Sequence, residues 1–295
     1  MKLLLFDNNR LGLLKGESVV DVTSAVAPLD PERSALAAQE MMEHVIENWA
    51  QLKPQLEDMF TQLHGVPLAS VRVRPPLPRP HNALCAFSNY QDRDGANPGP
   101  LDFFHKSATS IIGHGDTVEI PDITDAAVFQ PEPEFAYLIG KEAKDVSEAQ
   151  ALDHVFGYTN FVDISARGIP NRRTTFLPKA LDTWAPMGPV IATKDEIENP
   201  QNVRVRLWLN GEQRQDYNTS WMNHSIATQI AWLSKHITLK PGDVISCGVH
   251  HVGLSPINDR DVVEMECEGL ERLRFSVKSH GPVKTAHWRP PGVKD

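Results

Sequence analysis

QPEPEFAYLIGK (residues 130–141) sets two glutamates, Glu132 and Glu134, at the start of an apolar run. Side chains alternate along a strand, so residues two apart share a face and their Cα atoms lie about 7 Å apart. Two carboxylates on one face repel each other, and neither ionises readily unless a cation lies between them. The stretch therefore predicts either a cation site on a strand or, as the plainer alternative, a solvated strand edge.

A third carboxylate, Asp163, lies in the strand-like run GYTNFVDISARG (residues 157–168). An aspartate inside an apolar strand must be paired, hydrogen-bonded or bound to a metal, because an isolated buried charge is costly. Carboxylate oxygens suit Mg²⁺, Mn²⁺ or Ca²⁺. Spacing alone leaves two interpretations open, a metal site or two edge glutamates with an aspartate that caps a turn.

At 295 residues, with 41% hydrophobic and 23% charged side chains, the chain has the composition of an ordinary globular protein. A formal charge of −9 argues against a general binder of nucleic acid or anionic membranes, since both functions favour basic patches. Its three cysteines are an odd number and form no CxxC pair, so we expect no disulfide framework. That expectation agrees with a reducing compartment. The opening MKLLLFDNNR is too short for a signal-peptide core, and no apolar run approaches roughly 20 residues. We therefore expect a cytoplasmic protein without membrane or nucleic-acid partners.

The first 70 residues predict a small N-terminal β-rich domain with one helix. LLLFDNNRLGLLKGESVVDV (residues 3–22) indicates a β-meander with turns at DNNR and KGES. Apolar side chains then recur at helical spacing from Leu36 to Trp49, and Pro54 is expected to interrupt or end that helix. Residues 71–82 contain four prolines and predict a stiff extended connector.

Residues 83–280 predict a larger domain rich in short strands, among them ALCAFSN, DTVEIP, DVISCG and DVVEMECEG. Helices are few: a short one that opens at Ser147 and a longer one in NHSIATQIAWLSKHI (residues 223–237). Residues 281–295 predict an irregular tail. The expected fold class is α+β, mainly β, with helices packed outside the sheets.

Six ordered motifs make the chain resemble the fumarylacetoacetate hydrolase family over nearly its whole length: EPEFAYLIGK, GYTNFVDISAR, KALDTWAPMGP, NGEQRQDYNTSWM, LKPGDVISCGV and RDVVEMECEGLERL. The resemblance implies a β-roll or β-sandwich body with flanking helices, a small leading domain and a homodimer. It also implies that Glu132, Glu134 and Asp163 bind Mg²⁺ or Mn²⁺, with Ca²⁺ as a further option.

The resemblance extends to residues that bind or transform a 2-oxo acid. Lys179 matches the lysine that holds oxyanion charge, and a surface lysine is its plainer alternative. Asp182 is expected to be the orienting partner of Lys179. Five residues that match or adjoin positions of the family motifs are expected to bind substrate: Asn89, Tyr90, Arg167, Val249 and His250. For Arg167, a salt bridge that locks the metal loop is the alternative role.

Two departures from the family pattern affect the expected general base. Arg93 and Ala96 stand where hydrolases of the family usually carry a water-activating histidine and glutamate, and arginine cannot accept a proton near neutral pH. Val249 replaces a threonine that helps to hold the substrate carboxylate. His251 follows, and a histidine there can replace the missing base or order its loop through hydrogen bonds. Asp92 and Asp94 are further acid or base candidates, with a role in the turn as the plainer alternative.

The leading functional hypothesis is a divalent-metal-dependent enzyme that cleaves a carbon–carbon bond of a 2-oxo or 2,4-dioxo carboxylate, such as an acylpyruvate, with water. The metal would stabilise the enolate formed when that bond breaks. Decarboxylation, hydration and keto–enol isomerisation use the same enolate and are the alternatives within this chemistry. A non-catalytic protein that binds metal and ligand is the alternative from another class, although retention of all four residues Glu132, Glu134, Asp163 and Lys179 argues against it.

Overall fold

Two β-sheets carry most of the chain in the computed structural model, which describes residues 1–26, 29–30, 34–92, 99–170 and 173–286. Among these residues the larger sheet has twelve strands and the smaller has five. The strands of the larger sheet are β1 (Lys2–Phe6), β2 (Arg10–Lys15), β3 (Ser18–Asp21), β4 (Val66–Pro67), β5 (Val73–Arg74), β6 (Ala83–Ala86), β7 (Phe103–His105), β8 (Ile111–Ile112), β10 (Val128–Ile139), β11 (Val155–Arg167), β12 (Ala185–Thr193) and β15 (Val244–Ser246).

The smaller sheet contains β9 (Thr117–Ile120), β13 (Arg204–Leu209), β14 (Glu212–Asn218), β16 (Val262–Cys267) and β17 (Leu273–Ser279). The α-helices of the described residues are α1 (Ala35–Glu47), α2 (Trp49–Gln62), α3 (Glu148–Ala151), α4 (Phe176–Lys179) and α5 (Ile226–His236). Short 3-10 turns lie at Thr23–Val26, Leu68–Ser70, Ala108–Ser110, Leu152–His154, Lys194–Glu196 and Thr219–Trp221. The expected α+β, mainly β fold is confirmed.

Strands β10 and β11 lie in the middle of the larger sheet, between β15 and β12. Every residue of β10 is buried, because both faces of the sheet are covered. Phe135 and Tyr137 point into the core shared with the smaller sheet, whereas Ala136 and Leu138 point into the core beneath the N-terminal helices. Alternation thus sends Glu132 and Glu134 to the same face as Ala136, the face covered by the N-terminal segment.

The N-terminal meander joins the larger sheet through its first strand. β1 pairs antiparallel with β12, and the Met1 amino group lies 2.6 Å from a carboxylate oxygen of Glu196. β5, inside the predicted connector, pairs with β1. Met41 and Val45 of α1 pack in the same apolar cluster as Phe156 of β11. One sheet and one core therefore run across the boundary expected near residue 70.

The predicted helix of the N-terminal segment breaks at a different residue than expected. The chain forms α1 and α2 with a break at Asn48, while Pro54 lies inside α2. Asn48 leaves helical geometry and its side-chain amide donates to the carbonyl of His44, 2.9 Å away. Pro54 is the sixth residue of α2, past its first turn, so the helix continues there without the hydrogen bond that this residue's N–H would make. The expectation that Pro54 interrupts or ends the helix was wrong.

Two further features of the described chain bear on its setting. Cys85, Cys247 and Cys267 are buried free thiols. No helix within the described ranges has both the length and the apolar character needed to cross a membrane.

Candidate metal and substrate site

Strand register brings the three predicted metal ligands together. Glu132 and Asp163 are direct cross-strand partners in the antiparallel pair β10–β11, so their side chains leave the same face of the sheet. Glu134 lies on that face two residues further along β10. One oxygen from each of the three carboxylates lies within 4.8 Å of the others.

This donor set fits a divalent cation. Mg²⁺ and Mn²⁺ take oxygen ligands at about 2.1 Å and Ca²⁺ at about 2.4 Å, so the oxygens around one ion lie up to about 4–5 Å apart. All three carboxylates are buried, with Asp163 fully so. Burial, together with the charge of Asp163, raises the pKa of Glu134 to about 8. A bound cation would reduce both the repulsion between the carboxylates and the free-energy cost of burying their charge.

Three basic side chains surround the carboxylates. Lys179 Nζ lies 2.8 Å from Glu132 Oε2, contacts Asp163 Oδ2, and lies 2.5 Å from Ser165 Oγ. Arg167 pairs with the second oxygen of Glu132. Arg167 thus contacts Glu132, as in its alternative role of a salt bridge, and Lys179 contacts both Glu132 and Asp163.

The third cation, Lys106, was missed by the sequence analysis. Its ammonium group lies 2.6 Å from Asp163 Oδ1 and donates to the carbonyl of Ile164 at 3.2 Å. Its side chain is completely buried. Alternation in FFHK places Lys106 on the same face as the buried Phe104, but a lysine beside a short strand is usually a surface residue, so the pattern was not informative.

When all six side chains are ionised, three carboxylates face three cations and the cluster has no net charge. Desolvation lowers the pKa of Lys106 and of Lys179, while the nearby carboxylates raise it in part. A bound divalent ion would leave a surplus of two positive charges in this buried place. Such a surplus attracts an anionic ligand, and a 2-oxo acid that forms an enolate carries the matching charge.

The turn after β15 closes one side of the cluster. Ser246 donates its hydroxyl hydrogen to Glu134, and the backbone N–H of Gly248 lies 3.3 Å from the same carboxylate oxygen. Gly248 has φ +84°, and a Cβ there would approach the carbonyl oxygen of Ala86 to 3.1 Å, which favours glycine. Val249, expected to line the substrate site, is buried directly after this turn.

His250 and His251 follow and have different surroundings. The ring of His250 packs against Trp221 and Tyr217, with centroids 5.2 and 6.0 Å away. His251 is 7% exposed, and its Nδ1 lies 2.7 Å from Asp92 Oδ2. The backbone N–H of His251 donates to the other oxygen of Asp92, 2.8 Å away.

Burial lowers the pKa of His251, and the charges of Arg167 and Lys179 lower it further, while Asp92 raises it in part. For Asp92, burial acts to raise the pKa, but the hydrogen bonds and charge of His251 outweigh burial and lower it. The two cations that lower the pKa of His251 also contact the carboxylate cluster.

Asn89 and Tyr90, expected to bind substrate, are buried beneath the loops. The Asn89 amide donates to the carbonyls of Cys247 and His224, 3.0 and 3.2 Å away. The Tyr90 ring packs edge-on against Tyr217 at 5.1 Å. Asn89 thus ties the segment of Cys247, which leads to His251, to the segment of His224, whereas Tyr90 packs against β14.

Asp182 lies apart from the cluster. It is exposed, and Thr109 donates a hydrogen bond of 2.5 Å to its carboxylate. The groups that contact the Lys179 ammonium are Glu132, Asp163 and Ser165 instead. Arg93 and Ala96, where the sequence departs from the family pattern, and the further candidate Asp94 lie outside the described residues.

A cavity of about 780 Å³ adjoins the cluster between β7 and α4. Phe104 forms part of its wall and lies beneath the Lys179 ammonium, 4.9 Å from ring centre to nitrogen. Its other aromatic walls are Phe87, Phe103 and Phe176. A second cavity of about 690 Å³, lined by Arg72 and Arg272 among others, includes none of the clustered residues.

A family model described as fumarylacetoacetate (FAA) hydrolase C-terminal matches residues 79–278. A maleylpyruvate hydrolase of Aquipseudomonas alcaligenes is 30% identical over 295 residues, which cover 95% of this chain and 100% of that protein. A mitochondrial oxaloacetate tautomerase of Xenopus laevis is 36% identical over 192 residues, 63% of this chain, and the match spans only 60% of that relative's length.

The crystal structure of a maleylpyruvate hydrolase from Sphingobium sp. SYK-6, in complex with manganese (II) ion and pyruvate, has a TM-score of 0.85 to this chain. It is 30% identical, and the alignment covers 96% of this chain and 100% of that one. The expected family fold, including the leading segment, is confirmed by this likeness over nearly the whole chain.

Proposed function

Because the chain belongs to the fumarylacetoacetate hydrolase family, we propose that it is a divalent-metal-dependent enzyme that hydrolyses a carbon–carbon bond of an acylpyruvate-type 2,4-dioxo acid. One observation carries the proposal: three buried carboxylates on paired strands lie within 4.8 Å of one another and are surrounded by basic side chains. Similarity to a maleylpyruvate hydrolase supports the hydrolytic reaction.

Glu132, Glu134 and Asp163 would hold Mg²⁺ or Mn²⁺, with Ca²⁺ as a further option for an all-oxygen donor set. When bound, the ion supplies Lewis-acid stabilisation of the charge that develops on the 2-oxo oxygen. Lys179 adds a second, fixed positive charge at the same place, and Arg167 provides a bidentate partner for the substrate carboxylate.

His251 is the proposed general base. It removes a proton from water as the water oxygen bonds to the acyl carbonyl carbon. The bond between that carbon and the neighbouring methylene then breaks, and its electron pair forms the enolate of pyruvate. Protonated His251 returns the proton to the methylene carbon, so one water and one dioxo acid yield a carboxylic acid and pyruvate.

The cavity beside Lys179 is the proposed site for the acyl side chain of the substrate. Four phenylalanines contribute to its walls, with Phe104 at the Lys179 end and Phe176 at the mouth. Apolar lining of this kind suits an apolar or aromatic acyl group, because desolvation favours burial of such a group.

Turnover of acylpyruvates tests the proposal. Loss of enol absorbance should require Mg²⁺ or Mn²⁺ and stop with a chelator, and proton NMR should detect pyruvate and a carboxylic acid in equal amounts. Glu142→Ala, at an exposed position outside the cluster, should keep the turnover of the unaltered enzyme. Absence of turnover across a panel of acylpyruvates, combined with tight binding of oxalate, would instead support a non-catalytic binding protein.

Keto–enol isomerisation is the second candidate, together with decarboxylation and hydration. The sequence carries Arg93 and Ala96 at the positions of the usual water-activating pair, and the chain is similar to an oxaloacetate tautomerase. Isomerisation needs the enolate but no activated water. Enol loss from oxaloacetate without release of pyruvate would favour tautomerisation, and release of carbon dioxide would favour decarboxylation.

We propose that the enzyme works in the cytoplasm as a homodimer. Its substrate is a small-molecule 2-oxo acid, and nucleic acid and membranes are not among its partners. Three reduced, buried cysteines agree with a reducing compartment. Sedimentation equilibrium tests the oligomeric state: a mass of twice 32.9 kDa is expected, and a mass equal to one chain would exclude the dimer.

A further inference from the structure

Asp92 holds His251 at two points. One carboxylate oxygen accepts the backbone N–H of His251 at 2.8 Å, and the other lies 2.7 Å from its ring Nδ1. The side chains of both residues are largely buried, with 13% and 8% exposure. A two-point contact between one carboxylate and one residue restrains both the backbone and the ring of that residue.

This contact selects a tautomer. An ionised carboxylate can only accept hydrogen bonds, so the ring nitrogen that faces Asp92 must carry the hydrogen. The lone pair of a neutral imidazole is then on Nε2, the nitrogen turned away from the carboxylate. A general base needs a fixed lone pair of this kind.

The charged neighbours of His251 belong to several elements. Asp92 precedes it in sequence by 159 residues, Arg167 ends β11, and Lys179 ends α4. His250 is adjacent in the chain. Burial and the two cations lower the pKa of His251, while Asp92 raises it in part, so the imidazole is neutral at pH 7.

We propose that Asp92 is a positioning residue that fixes the orientation and tautomer of His251, and that the Asp92–His251 dyad moves the proton at this site in place of a histidine–glutamate pair. The inference rests on the proposed function, since it needs a reaction through a 2-oxo acid enolate. The sequence agrees with it, because Arg93 and Ala96 cannot act as bases.

Exchange of the pyruvate methyl protons tests the dyad without any carbon–carbon cleavage. In heavy water with Mg²⁺, His251 removes a proton from the methyl carbon, the electron pair of that C–H bond forms the enolate, and a deuteron returns to the carbon. Proton NMR then shows loss of the methyl signal. We expect His251→Gln to slow this exchange about 10²- to 10⁴-fold, and Asp92→Asn to slow it by at least about 10-fold.

The pH profile separates positioning from a merely structural role. Asp92 favours the protonated imidazolium, so its replacement by asparagine lowers the pKa of His251 and moves the acid limb of exchange to lower pH. A structural role would reduce the amount of active protein and leave the limb in place. The matched control is Asp261→Asn, because Asp261 also clamps a loop through a backbone N–H, that of Asn258 at 2.7 Å, and through the side chain of Asn210 at 2.8 Å.

A double-mutant cycle adds a second criterion. If Asp92 acts through His251, Asp92→Asn should slow exchange little further in a His251→Gln background. Equal effects of Asp92→Asn in both backgrounds would overturn the proposal.

One measurement keeps the proposal testable if Asp92→Asn fails to fold. Nitrogen-15 NMR of the unaltered enzyme should show His251, assigned by loss of its signals in His251→Gln, with hydrogen on Nδ1 at pH 7; hydrogen on Nε2 would overturn the proposal. Failure of the proposed function gives a different result from failure of the dyad. If the enzyme exchanges pyruvate protons through the dyad but cleaves no acylpyruvate, the role of the dyad stands and the hydrolase function is excluded.

Discussion

The two halves of the candidate site are built in different ways. The carboxylate half lies on neighbouring strands, where Glu132 and Asp163 face each other across one ladder and the hydrogen bonds of β10 and β11 hold them in register. The proton-transfer half joins Asp92 and His251, 159 residues apart, through segments outside regular strands and helices. A strand register determines the first, whereas the second depends on how two loops are held against the body of the protein.

The difference also divides the chemistry. Strand-borne carboxylates sit in a balanced cluster of six charged side chains, so their loss should remove metal binding. The loop-borne Asp92 and His251 hydrogen-bond to each other, so loss of this dyad should slow proton transfer and leave metal binding intact. Binding and rate can therefore be separated by mutation.

The largest effect is expected for Glu132→Ala. Removal of a ligand oxygen from the cluster should lower Mn²⁺ affinity by more than about 100-fold and abolish turnover, since even residues that only support metal ligands change affinity 10- to 100-fold. Calorimetric titration with Mn²⁺ measures the change, with Glu142→Ala as the exposed control. Unchanged Mn²⁺ affinity would contradict the assignment of the carboxylate half.

Next in size is His251→Gln in the dyad. Loss of a general base should lower kcat about 10²- to 10⁴-fold with a much smaller change in KM. Calorimetry should find Mn²⁺ affinity close to that of the unaltered enzyme. A variant with undiminished kcat would remove His251 from the mechanism, and one with lost Mn²⁺ affinity would show that the two halves are not separable.

Lys106→Met tests how far the carboxylate half depends on its buried cations. Loss of this lysine leaves Asp163 with one fewer partner, and breaking a buried ion pair costs about 3–5 kcal/mol. Urea unfolding in the presence of a chelator should show a reduced free energy of unfolding. Lys144→Met, an exposed position, is the control; equal stability of the two variants would mean that Lys106 is not needed to balance the cluster.

The pH dependence of kcat/KM examines the dyad in the unaltered enzyme. A lowered pKa keeps His251 neutral, and so active as a base, down to pH values below its ordinary value of 6.5. Activity should therefore be retained as pH falls through 6.5 and be lost only at lower pH. An acid limb above 6.5 would indicate a different titrating group.

The smallest effect is expected at the cavity, which belongs to neither half. Phe176 is 63% exposed at its mouth, so Phe176→Ala should weaken binding of an apolar acyl group by only about 1 kcal/mol, or about fivefold in KM. Acetylpyruvate, with a minimal acyl group, should be unaffected and serves as the matched substrate. Equal changes for short and long acyl groups would place the acyl side chain elsewhere.

Sequence reasoning predicted the carboxylate half because its information is local. The spacing of Glu132 and Glu134 indicates one face of a strand, and an aspartate in the apolar run around Asp163 requires a partner. Family motifs then identified Lys179, Arg167 and His251. The same reasoning missed Lys106. It also assigned the support of Lys179 to Asp182, because the actual partners of Lys179 lie on β10 and β11 and not beside it in the chain.

By itself the sequence determined the mainly β class, the family and the face of β10 that carries the glutamates, since alternation and ordered motifs are properties of short stretches. Only the tertiary structure decided that Lys106 is buried against Asp163, that β1 joins the larger sheet beside β12, and that Asp92 clamps His251. Each of these is a contact between segments far apart in the chain. Such contacts follow from how sheets pack and loops close, which residue spacing does not encode.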